Sequence, residues 1–403
     1  PPPDPGWRRE PGNPLVMPEL TASTIWYSAA DPCVLYDAAE SRWKAWWSCG
    51  IKDRATDEEE VLIRYAESAD GVAWTVQAAP AFRRTGDAAA WDHTTNETPS
   101  VVRNPDPAAP GSRRWLLFYS GANSTLAAAE GRPTTFPYYA IGLAYSADGR
   151  SFARHLPGIG GKPGLIMRAD AAMFAPGHLP ITDGVVADPE VLVEGTRLTM
   201  WCSSFAENAP SPPTPTGRAV VAFGISRAVS EDGGVTWTFP QANPLPSLRK
   251  PGDVAGGAQP SVLRDPASGL YHLWFSNDTA AELASIPATM FTAYGFWHAT
   301  SPDGIAWTPD YGERDFRWDP TLAYERHGLI TGVEVVQHAG EYRLFYGAWG
   351  DVGIPDPSLF LVPLQGGTLA PGAFCLCGAR RTIVPGAISR RPAWRRLAAS
   401  ATP

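Results

Sequence analysis

The segment ADPEVLVEGTRLTMWCSS, residues 187–204, decides how the rest of the chain is interpreted. An Asp-Pro turn leads into a β-rich run, a polar turn follows, and a second run containing Trp returns, which is the pattern of a β-hairpin. Four further segments share it: ADPCVLYDAAESRWKAWWSCG (30–50), ETPSVVRNPDPAAPGSRRWLLFYSG (97–121), AQPSVLRDPASGLYHLWFSN (258–277) and TGVEVVQHAGEYRLFYGA (331–348). We therefore interpret the chain as five copies of one unit.

A third element follows four of the five hairpins. It reads IRYAESADGVAW at 63–74, IGLAYSADGRSF at 141–152, ISRAVSEDGGVTW at 225–237 and FWHATSPDGIAW at 296–307. In each copy a strand runs into a Ser-x-Asp-Gly turn, where Asp accepts hydrogen bonds from backbone N–H groups and Gly adopts a positive φ. We therefore predict that the acidic residues of these turns are structural: Asp70, Asp148, Asp232 and Asp303.

Repeated sheet units of this kind cannot bury both of their faces alone, whereas stacking them around an axis does so. The sequence thus predicts an all-β fold, a five-bladed β-propeller with four-stranded antiparallel blades around a central axis, over residues 1–365. The fifth unit lacks the Ser-x-Asp-Gly element, and we expect residues 24–28 to supply its outer strand. Residues 366–403 are rich in Gly, Pro and Arg and are predicted to form an irregular tail.

Composition excludes several classes of function. The formal net charge of the 403-residue chain is −8, which argues against a nucleic-acid-binding surface. The sequence contains no run of 18 apolar residues, so we predict no membrane-spanning helix. It begins at Pro1 without a Met, which is compatible with a removed export signal and a secreted protein. We expect a monomer.

The five cysteines leave one question open. Cys33 and Cys49 fall near opposite ends of the first hairpin, so a disulfide and two buried thiols are both compatible with the sequence. Cys375 and Cys377 have no second Cys pair or nearby His that would complete a zinc site. We therefore predict no metal and no cofactor.

The candidate site follows from the predicted propeller, in which every innermost strand starts at the same end of the axis. Aligning the hairpins on the residue before the Pro, or its equivalent, places five residues at this mouth: Asp31, Thr98, Asp188, Gln259 and Gly332. Glu97 stands one position earlier, while Glu190 and Glu334 follow the Pro position and lie one step deeper. Three carboxylates therefore belong to the mouth, although each Asp could instead cap its own Asp-Pro turn.

Glycoside hydrolysis needs two carboxyl groups flanking the scissile bond, roughly 5 Å apart for retention and about 6.5–9.5 Å for inversion. Crowded carboxylates also raise one another's pKa, which keeps one protonated as a general acid. We predict catalytic roles for Asp31, Asp188 and Glu97. The residues predicted to contact a carbohydrate substrate are Glu190, Gln259, Glu334, Trp91, which could stack on a sugar ring, and His93, which could bind a hydroxyl.

The sequence resembles the five-bladed propeller glycoside hydrolases that act on furanosides, families 43, 32 and 68 and their relatives. DPCVLYD, with Asp31, looks like the first-blade Asp-Pro motif, whose Asp is the general base in inverting members and the nucleophile in retaining ones. ADPEVLVEGTRL is similar to the later Asp-Pro motif, and the resemblance implies that Asp188 tunes the acid's pKa and contacts substrate. Glu97-Thr98-Pro99 has the Glu-x-Pro form of the general acid.

One departure from those families concerns the acid. Their Glu-x-Pro blade follows the second Asp-Pro blade, whereas here it precedes it, and the later unit reads Ala258-Gln259-Pro260. Either Glu97 has taken the acid's place from a neighbouring blade, or the acid is one of four other residues: Glu190, Asp183, Asp253 or Glu334. The resemblance favours an arabinan-type substrate, cleaved by an arabinofuranosidase or an endo-arabinanase.

Other classes of function stay open. A non-catalytic propeller that binds a glycan or a protein is one, because Gln259 stands where an acid could be expected. A fructan-active enzyme or a six-bladed sialidase is another, since SEDGGVTW at 230–237 fits the longer turn motif of sialidases. A transferase or phosphorylase on the same scaffold is a third. The repeated mouth positions carry no Arg or Lys to bind phosphate.

Overall fold

The structure is a computed structural model of the chain. It describes residues 6–26, 28–129, 139–169, 173–174, 183–208, 219–250, 256–277, 292–351, 361–363, 369–371 and 373–383. Asp253 and residues 384–403 of the predicted tail lie outside these ranges. None of the helices in the described part has an apolar stretch long enough to cross a lipid bilayer.

The described elements are nearly all strands. In chain order they are β1 (Arg8–Arg9), β2 (Glu19–Leu20), β3 (Thr24–Trp26), β4 (Ala30–Asp37), β5 (Arg42–Asp53), β6 (Glu59–Ser68), β7 (Trp74–Val76), β8 (Thr95–Arg103), β9 (Trp115–Ala122), β10 (Ala140–Ser146), β11 (Ala153–Arg154), β12 (Leu165–Met167), β13 (Asp183–Glu194), β14 (Arg197–Asn208), β15 (Ala219–Ser230), β16 (Ala258–Arg264), β17 (Tyr271–Ser276), β18 (Thr292–Ala293), β19 (Gly295–Ser301), β20 (Thr308–Pro309), β21 (Phe316–Arg317), β22 (Gly328–His338), β23 (Glu341–Gly350), β24 (Leu361–Pro363), β25 (Leu369–Pro371) and β26 (Ala373–Thr382). One α-helix, α1 (Ser124–Ala129), and short 3₁₀ turns at Gly111–Arg113, Ile159–Gly161, Pro246–Leu248 and Ala323–Glu325 complete the set.

Each of the five sequence repeats forms an antiparallel hairpin, and we call each hairpin with the strands that extend it a unit. Their inner strands are β4, β8, β13, β16 and β22, and each pairs with the following strand of its own hairpin. The inner strands also contact one another in a closed cycle, β4 to β8, β13, β16, β22 and back to β4. This cyclic arrangement gives the chain a propeller-like fold and brings the starts of the inner strands together.

The core lies between consecutive units rather than inside any one of them. Buried side chains of the described residues form five clusters, whose central members are Trp46 and Trp115 (units 1 and 2), Phe118 and Met200 (2 and 3), Trp201 and Phe275 (3 and 4), Trp274 and Leu344 (4 and 5), and Trp47 and Phe345 (5 and 1). Burial of such apolar surface is the dominant stabilising term in folding. Each unit is therefore held in place by both of its neighbours.

The Ser-x-Asp-Gly turns are structural, as predicted. In the first, Asp70 Oδ1 accepts hydrogen bonds from the backbone N–H groups of Val72 (2.8 Å) and Ala73 (2.9 Å), and Gly71 has a φ of 76°. Asp148, Asp232 and Asp303 accept equivalent bonds. The carboxylates of these four residues bind backbone N–H groups within their own turns, so they are not candidates for catalysis.

Unit 5 is completed by strands from both ends of the chain, which corrects two predictions. Strand β26 pairs with β23 along its full ten residues, and β1 then pairs with β26. The predicted closing strand at residues 24–28 is wrong, because β3 extends unit 1 by pairing with β5. The prediction of an irregular tail is wrong for residues 373–382, because Phe374 to Ala379 are buried apolar or small residues that fill the edge of unit 5.

Two buried carboxylates fasten the chain ends to units 4 and 5. Asp315 accepts hydrogen bonds from the indole Nε1 of Trp7 (3.0 Å) and of Trp274 (2.8 Å) and from Arg381 Nη1 (2.9 Å). Glu325 binds Arg9 through both oxygens, at 2.7 and 2.9 Å. We call Trp7, Arg9, Asp315, Glu325 and Arg381 the terminal latch.

We expect Asp315→Ala to lower the free energy of unfolding by about 3–5 kcal/mol, because it removes a buried carboxylate that accepts hydrogen bonds from Arg381 and from two indole groups. Burial opposes ionisation of Asp315, but the charge of Arg381 lowers its pKa to about 2. The pKa of Asp315 is lower in the folded state than its value near 3.9 in the unfolded state, so its ionised carboxyl stabilises the native state at pH values above about 3.9. This stabilisation should be lost as the pH falls toward 2.

Urea unfolding measures this effect. Glu59→Ala is the matched control, because Glu59 is an exposed acid 3.6 Å from Lys52, and such pairs contribute only about 0–1 kcal/mol. If Asp315→Ala and Glu59→Ala unfold at the same urea concentration, the terminal latch does not stabilise the fold.

The cysteine question is decided in favour of thiols. All five cysteines are free and buried. The register of the first hairpin explains why Cys33 and Cys49 do not pair: Cys33 lies opposite Trp46, and Cys49 lies opposite Leu62 of the next strand.

Candidate active site

The inner strands share one irregularity at the same place. The pairing register shifts at each Pro position or its equivalent, which is the mark of a β-bulge. In four of the units, the residue that directly precedes the Pro has a left-handed backbone conformation. The φ values are 47° at Asp31, 48° at Thr98, 55° at Asp188 and 50° at Gln259. Each such conformation in a non-glycine residue costs about 1–3 kcal/mol and is concentrated at functional sites. The bulges turn these side chains toward a common opening.

Serine side chains of the preceding unit support the bulges. Thr98 donates its N–H to Ser48 Oγ (2.8 Å), and Asp188 donates its N–H to Ser120 Oγ (2.8 Å). Gln259 donates its N–H to Ser203 Oγ at 2.9 Å. Because each bond crosses from one unit to the next, the strained residues are positioned by the ring as a whole.

The bulges line one funnel with an empty volume of about 320 Å³. Its described lining residues are Asp31, Pro32, Thr98, Pro99, Asp188, Pro189, Glu190, Gln259, Pro260, Gly332, Val333 and Glu334. Five of the eight residues predicted from sequence to act on a substrate are among them: Asp31, Asp188, Glu190, Gln259 and Glu334. The structure therefore brings residues from all five units into one opening.

Asp31 and Asp188 are half-buried acids with raised pKa values. Burial is the main reason that the pKa of Asp31 rises to about 7, and the negative charge of Asp188 adds to the effect. Burial also raises the pKa of Asp188 to about 6, against the opposing hydrogen bonds of Ser203 and Gln259. The two carboxyls thus change protonation near neutral pH, which is suited to proton transfer.

Glu97 has the highest pKa of the three predicted catalytic acids, and it directly precedes Thr98 of the funnel lining. Burial is the main reason that the pKa of Glu97 rises to about 8; the charges of Asp31 and Asp188 contribute to the rise, and the hydroxyl of Tyr139 opposes it. Glu97 therefore holds its proton at a pH where Asp188 has lost its own. This separation of pKa values within one group of carboxyls is the pattern of an acid and its charged partner.

Gln259 links the two aspartates. Its Nε2 donates to Asp31 Oδ1 over 3.4 Å, and its side chain also lowers the pKa of Asp188. Its buried Oε1 has no hydrogen-bond partner among the described residues. An unpaired buried acceptor of this kind is suited to accept a hydrogen bond from a hydroxyl of a bound molecule.

Gly332 takes the equivalent position in unit 5, and its lack of a side chain makes room for Asp31. A Cβ at this position would lie 2.5 Å from Asp31 Oδ1 and 2.7 Å from Asp31 Cα. Any larger residue would displace the carboxylate, so the size of residue 332 is part of the site's geometry.

Glu190 and Glu334 also line the funnel. Glu190 Oε1 accepts a hydrogen bond from Val262 N–H of the next unit (3.1 Å), and Ser261 Oγ lies 3.4 Å from Glu334 Oε2. Burial raises the pKa of Glu190 to about 8, and burial together with the charge of Glu190 raises the pKa of Glu334 well above its ordinary range. Glu190 thus also has a structural role, because it joins two units.

Trp91 and His93 are not among the described residues that line the funnel, which corrects the prediction for Trp91. Its ring is only 7% exposed, stacks on Tyr119 at 5.9 Å, and donates its Nε1–H to Pro163 O. A ring buried in this way is core and cannot stack on a sugar. His93 lies beside it on the loop before β8, and its Nδ1 is buried without a partner among the described residues.

Sequence reasoning missed Tyr139 and the supporting serines. Ser48, Ser120 and Ser203 follow the aromatic run of the second strand in their repeats, as WWS, FYS and WCS, so this regularity was present in the sequence. Tyr139 has no equivalent signal, because it belongs to a connection outside the repeat. The described residues contain no group of three or more His, Cys, Asp or Glu side chains placed to hold a metal ion.

Several solved structures have a similar fold at low sequence identity. The chain resembles BT0996 in its RGII complex (TM-score 0.54, 14% identity, 91% of this chain and 92% of that protein). It also resembles a protein described as a glycoside hydrolase (0.53, 14%, 90% and 89%) and a β-1,2-mannobiose phosphorylase from Listeria innocua in complex with β-1,2-mannobiose (0.53, 11%, 94% and 97%). The predicted resemblance to propeller glycosidases is confirmed for the fold.

No protein-family model matches the chain, and no curated protein matches it.

Proposed function

We propose that the five units are the blades of a five-bladed propeller and that the chain hydrolyses glycosidic bonds in the funnel at its axis. The observation that carries this proposal is the convergence of Asp31, Asp188 and Glu97 from three units, at the bulges, with pKa values of about 7, 6 and 8. Purely structural acids at turns have lowered pKa values in this chain, as Asp70 and Asp303 do. Raised values in a group of neighbouring acids are typical of acid–base catalysis.

In the proposed reaction Glu97 donates its proton to the glycosidic oxygen as the bond from that oxygen to the anomeric carbon breaks. Asp31, in its ionised form, either takes a proton from the attacking water or attacks the anomeric carbon itself, with water then releasing the sugar. Asp188 keeps a negative charge near both groups, and Gln259 binds substrate hydroxyls. The described funnel lining contains no Arg or Lys to hold phosphate, which favours water over phosphate as the acceptor.

For the substrate we propose a furanose-containing glycan, arabinan before fructan, on the resemblance of the Asp31 and Asp188 motifs. The test is a screen of the purified chain against arabinans, fructans, β-mannosides and aryl furanosides, with product anomers identified by NMR. Release of sugar from a furanoside supports the proposal. Binding of a glycan without turnover would favour a carbohydrate-binding propeller instead.

The pH dependence of kcat/KM should be bell-shaped and narrow. Activity should rise with pH as Asp31 ionises, near its pKa of about 7, and fall as Glu97 loses its proton above about 8. Because the carboxyls interact, the apparent pKa of each limb belongs to the group of carboxyls rather than to a single residue. Initial rates between pH 4 and 10 measure this profile, and an optimum below pH 5 would contradict it.

A further inference from the structure

Two of the five buried thiols are neighbours on the last strand. Cys375 and Cys377 lie two residues apart on β26, so their side chains are on the same face of the strand, and their Sγ atoms are 3.8 Å apart. The two residues are only 1% and 0% exposed and belong to the core between units 4 and 5. Cys33, Cys49 and Cys202 lie on three other strands, β4, β5 and β14.

The folded chain protects this pair from oxidation. Burial and the neighbouring Cys375 raise the pKa of Cys377 well above its ordinary range, so the thiol of Cys377 keeps its proton. Exchange with a disulfide needs a thiolate that the oxidant can reach. The pair therefore reacts only after β26 has moved away from the core and both sulfurs are exposed to solvent.

The extended shape of β26 does not suit a disulfide between these two residues. Two residues along a strand advance the Cα atom by about 6.6 Å. Disulfides usually join Cα atoms about 4.4–6.8 Å apart, most often about 5.5–6 Å. Pairing with β23 keeps the strand extended here, because Cys375 lies opposite Ala348 and Cys377 lies opposite Tyr346. A disulfide would shorten the strand at this point, so it competes with the pairing.

We propose that Cys375 and Cys377 form a redox-sensitive modification site, whose reaction with a small-molecule disulfide such as oxidised glutathione undocks β26 from unit 5. One cysteine thiolate attacks a sulfur of the oxidant and releases one glutathione thiol. The second cysteine thiolate attacks the mixed disulfide, forms the bond between Cys375 and Cys377, and releases the second glutathione thiol. The cysteine pair loses two electrons and two protons, and the oxidant gains them.

The terminal latch controls access to this site. Arg381, four residues after Cys377 on the same strand, donates a hydrogen bond to Asp315 at 2.9 Å, and Trp7 donates to the same carboxyl at 3.0 Å. Local opening of a strand becomes more frequent when the contacts that hold it are weakened. Removing the Asp315 carboxylate should therefore increase the fraction of chains in which β26 is open, and with it the rate at which the two thiols are oxidised.

The experiment incubates the reduced full chain with oxidised glutathione and follows the peptide that contains Cys375 and Cys377 by mass spectrometry, where the disulfide removes two hydrogen atoms. The chains compared are the wild type, Asp315→Ala and the matched control Glu59→Ala. We expect slow oxidation in the wild type, the same rate in Glu59→Ala, and a rate higher by roughly tenfold or more in Asp315→Ala.

Urea unfolding of the isolated oxidised chain tests the effect on β26. We expect a lower midpoint than in the reduced chain, and dithiothreitol should restore it. The double variant with Cys375→Ala and Cys377→Ala should keep one midpoint with and without oxidant. If that variant does not fold, recovery of the wild-type midpoint on reduction still decides the point.

Two results would overturn the inference. One is that Cys375 and Cys377 are oxidised no faster than Cys33, Cys49 and Cys202 in Asp315→Ala. The other is that the chain with the Cys375–Cys377 disulfide unfolds at the same urea concentration as the reduced chain. Neither measurement needs a substrate, so both are independent of the proposed function.

Discussion

We expect the Asp31→Asn variant to fold normally and to lose almost all glycosidase activity, by roughly 10²–10⁴-fold, the scale of a lost acid–base group. Asparagine keeps the size of Asp31 and tolerates the left-handed backbone (φ 47°) that the bulge imposes. It also keeps an oxygen that can accept the bond from Gln259, while the negative charge is removed. The contact with Gly332 is preserved because the side chain does not grow.

Activity on the best substrate of the screen, thermal unfolding and substrate binding measure this outcome together. Asp303→Asn is the matched control, because Asp303 accepts backbone hydrogen bonds in a Ser-x-Asp-Gly turn outside the funnel. We expect it to retain full activity. If Asp31→Asn unfolds, Asp31 is only a cap of its own turn, and if it remains active, another residue is the base or nucleophile.

The second large effect is expected for Glu97→Gln, which should lower kcat on natural glycosides by roughly 10²–10⁴-fold. The amide has nearly the same size as the carboxyl but has no proton of suitable acidity for the leaving group. Aryl glycosides with acidic leaving groups need little protonation, so their hydrolysis should fall far less. The basic limb of the pH profile should also disappear, because the group that causes it is gone.

Kinetics on a series of aryl glycosides of graded leaving-group acidity measures this difference. Glu190→Gln is the informative comparison, since Glu190 was the first alternative for the acid and its amide oxygen can still accept the Val262 N–H. Glu190 would be the general acid if two results were found together. The kcat of Glu97→Gln would fall equally on all substrates, and the fall in kcat of Glu190→Gln would depend on the acidity of the leaving group.

The repeat made most of this architecture predictable. A hairpin that starts with a turn and Pro recurs along the chain, so one alignment located the bulges and placed Asp31, Asp188 and Gln259 in one funnel. The Ser-x-Asp-Gly turns were predictable for the same reason, because Asp and Gly have specific conformational roles there. The assignment of catalytic roles to these acids remains a prediction.

The errors arose where the chain leaves the repeat. Trp91 was predicted at the mouth because it precedes Glu97, but a Trp is as suited to a core as to a sugar, and only packing against Tyr119 distinguishes them. Strand β26 escaped detection because Gly378 and two Arg residues interrupt its apolar run. Its partner β1 has only two residues, too few for any periodicity to be seen.

The terminal latch has a consequence for the order of events during synthesis. Unit 1 leaves the ribosome early, but the sheet that closes the cycle needs Ala373–Thr382 as well as Arg8–Arg9. Until residue 382 emerges, the edge of β23 that pairs with β26 is uncovered. An unprotected edge of this kind pairs readily with other chains. We expect a chain truncated before Ala373 to aggregate rather than to form a smaller soluble protein, because this edge of β23 then stays uncovered.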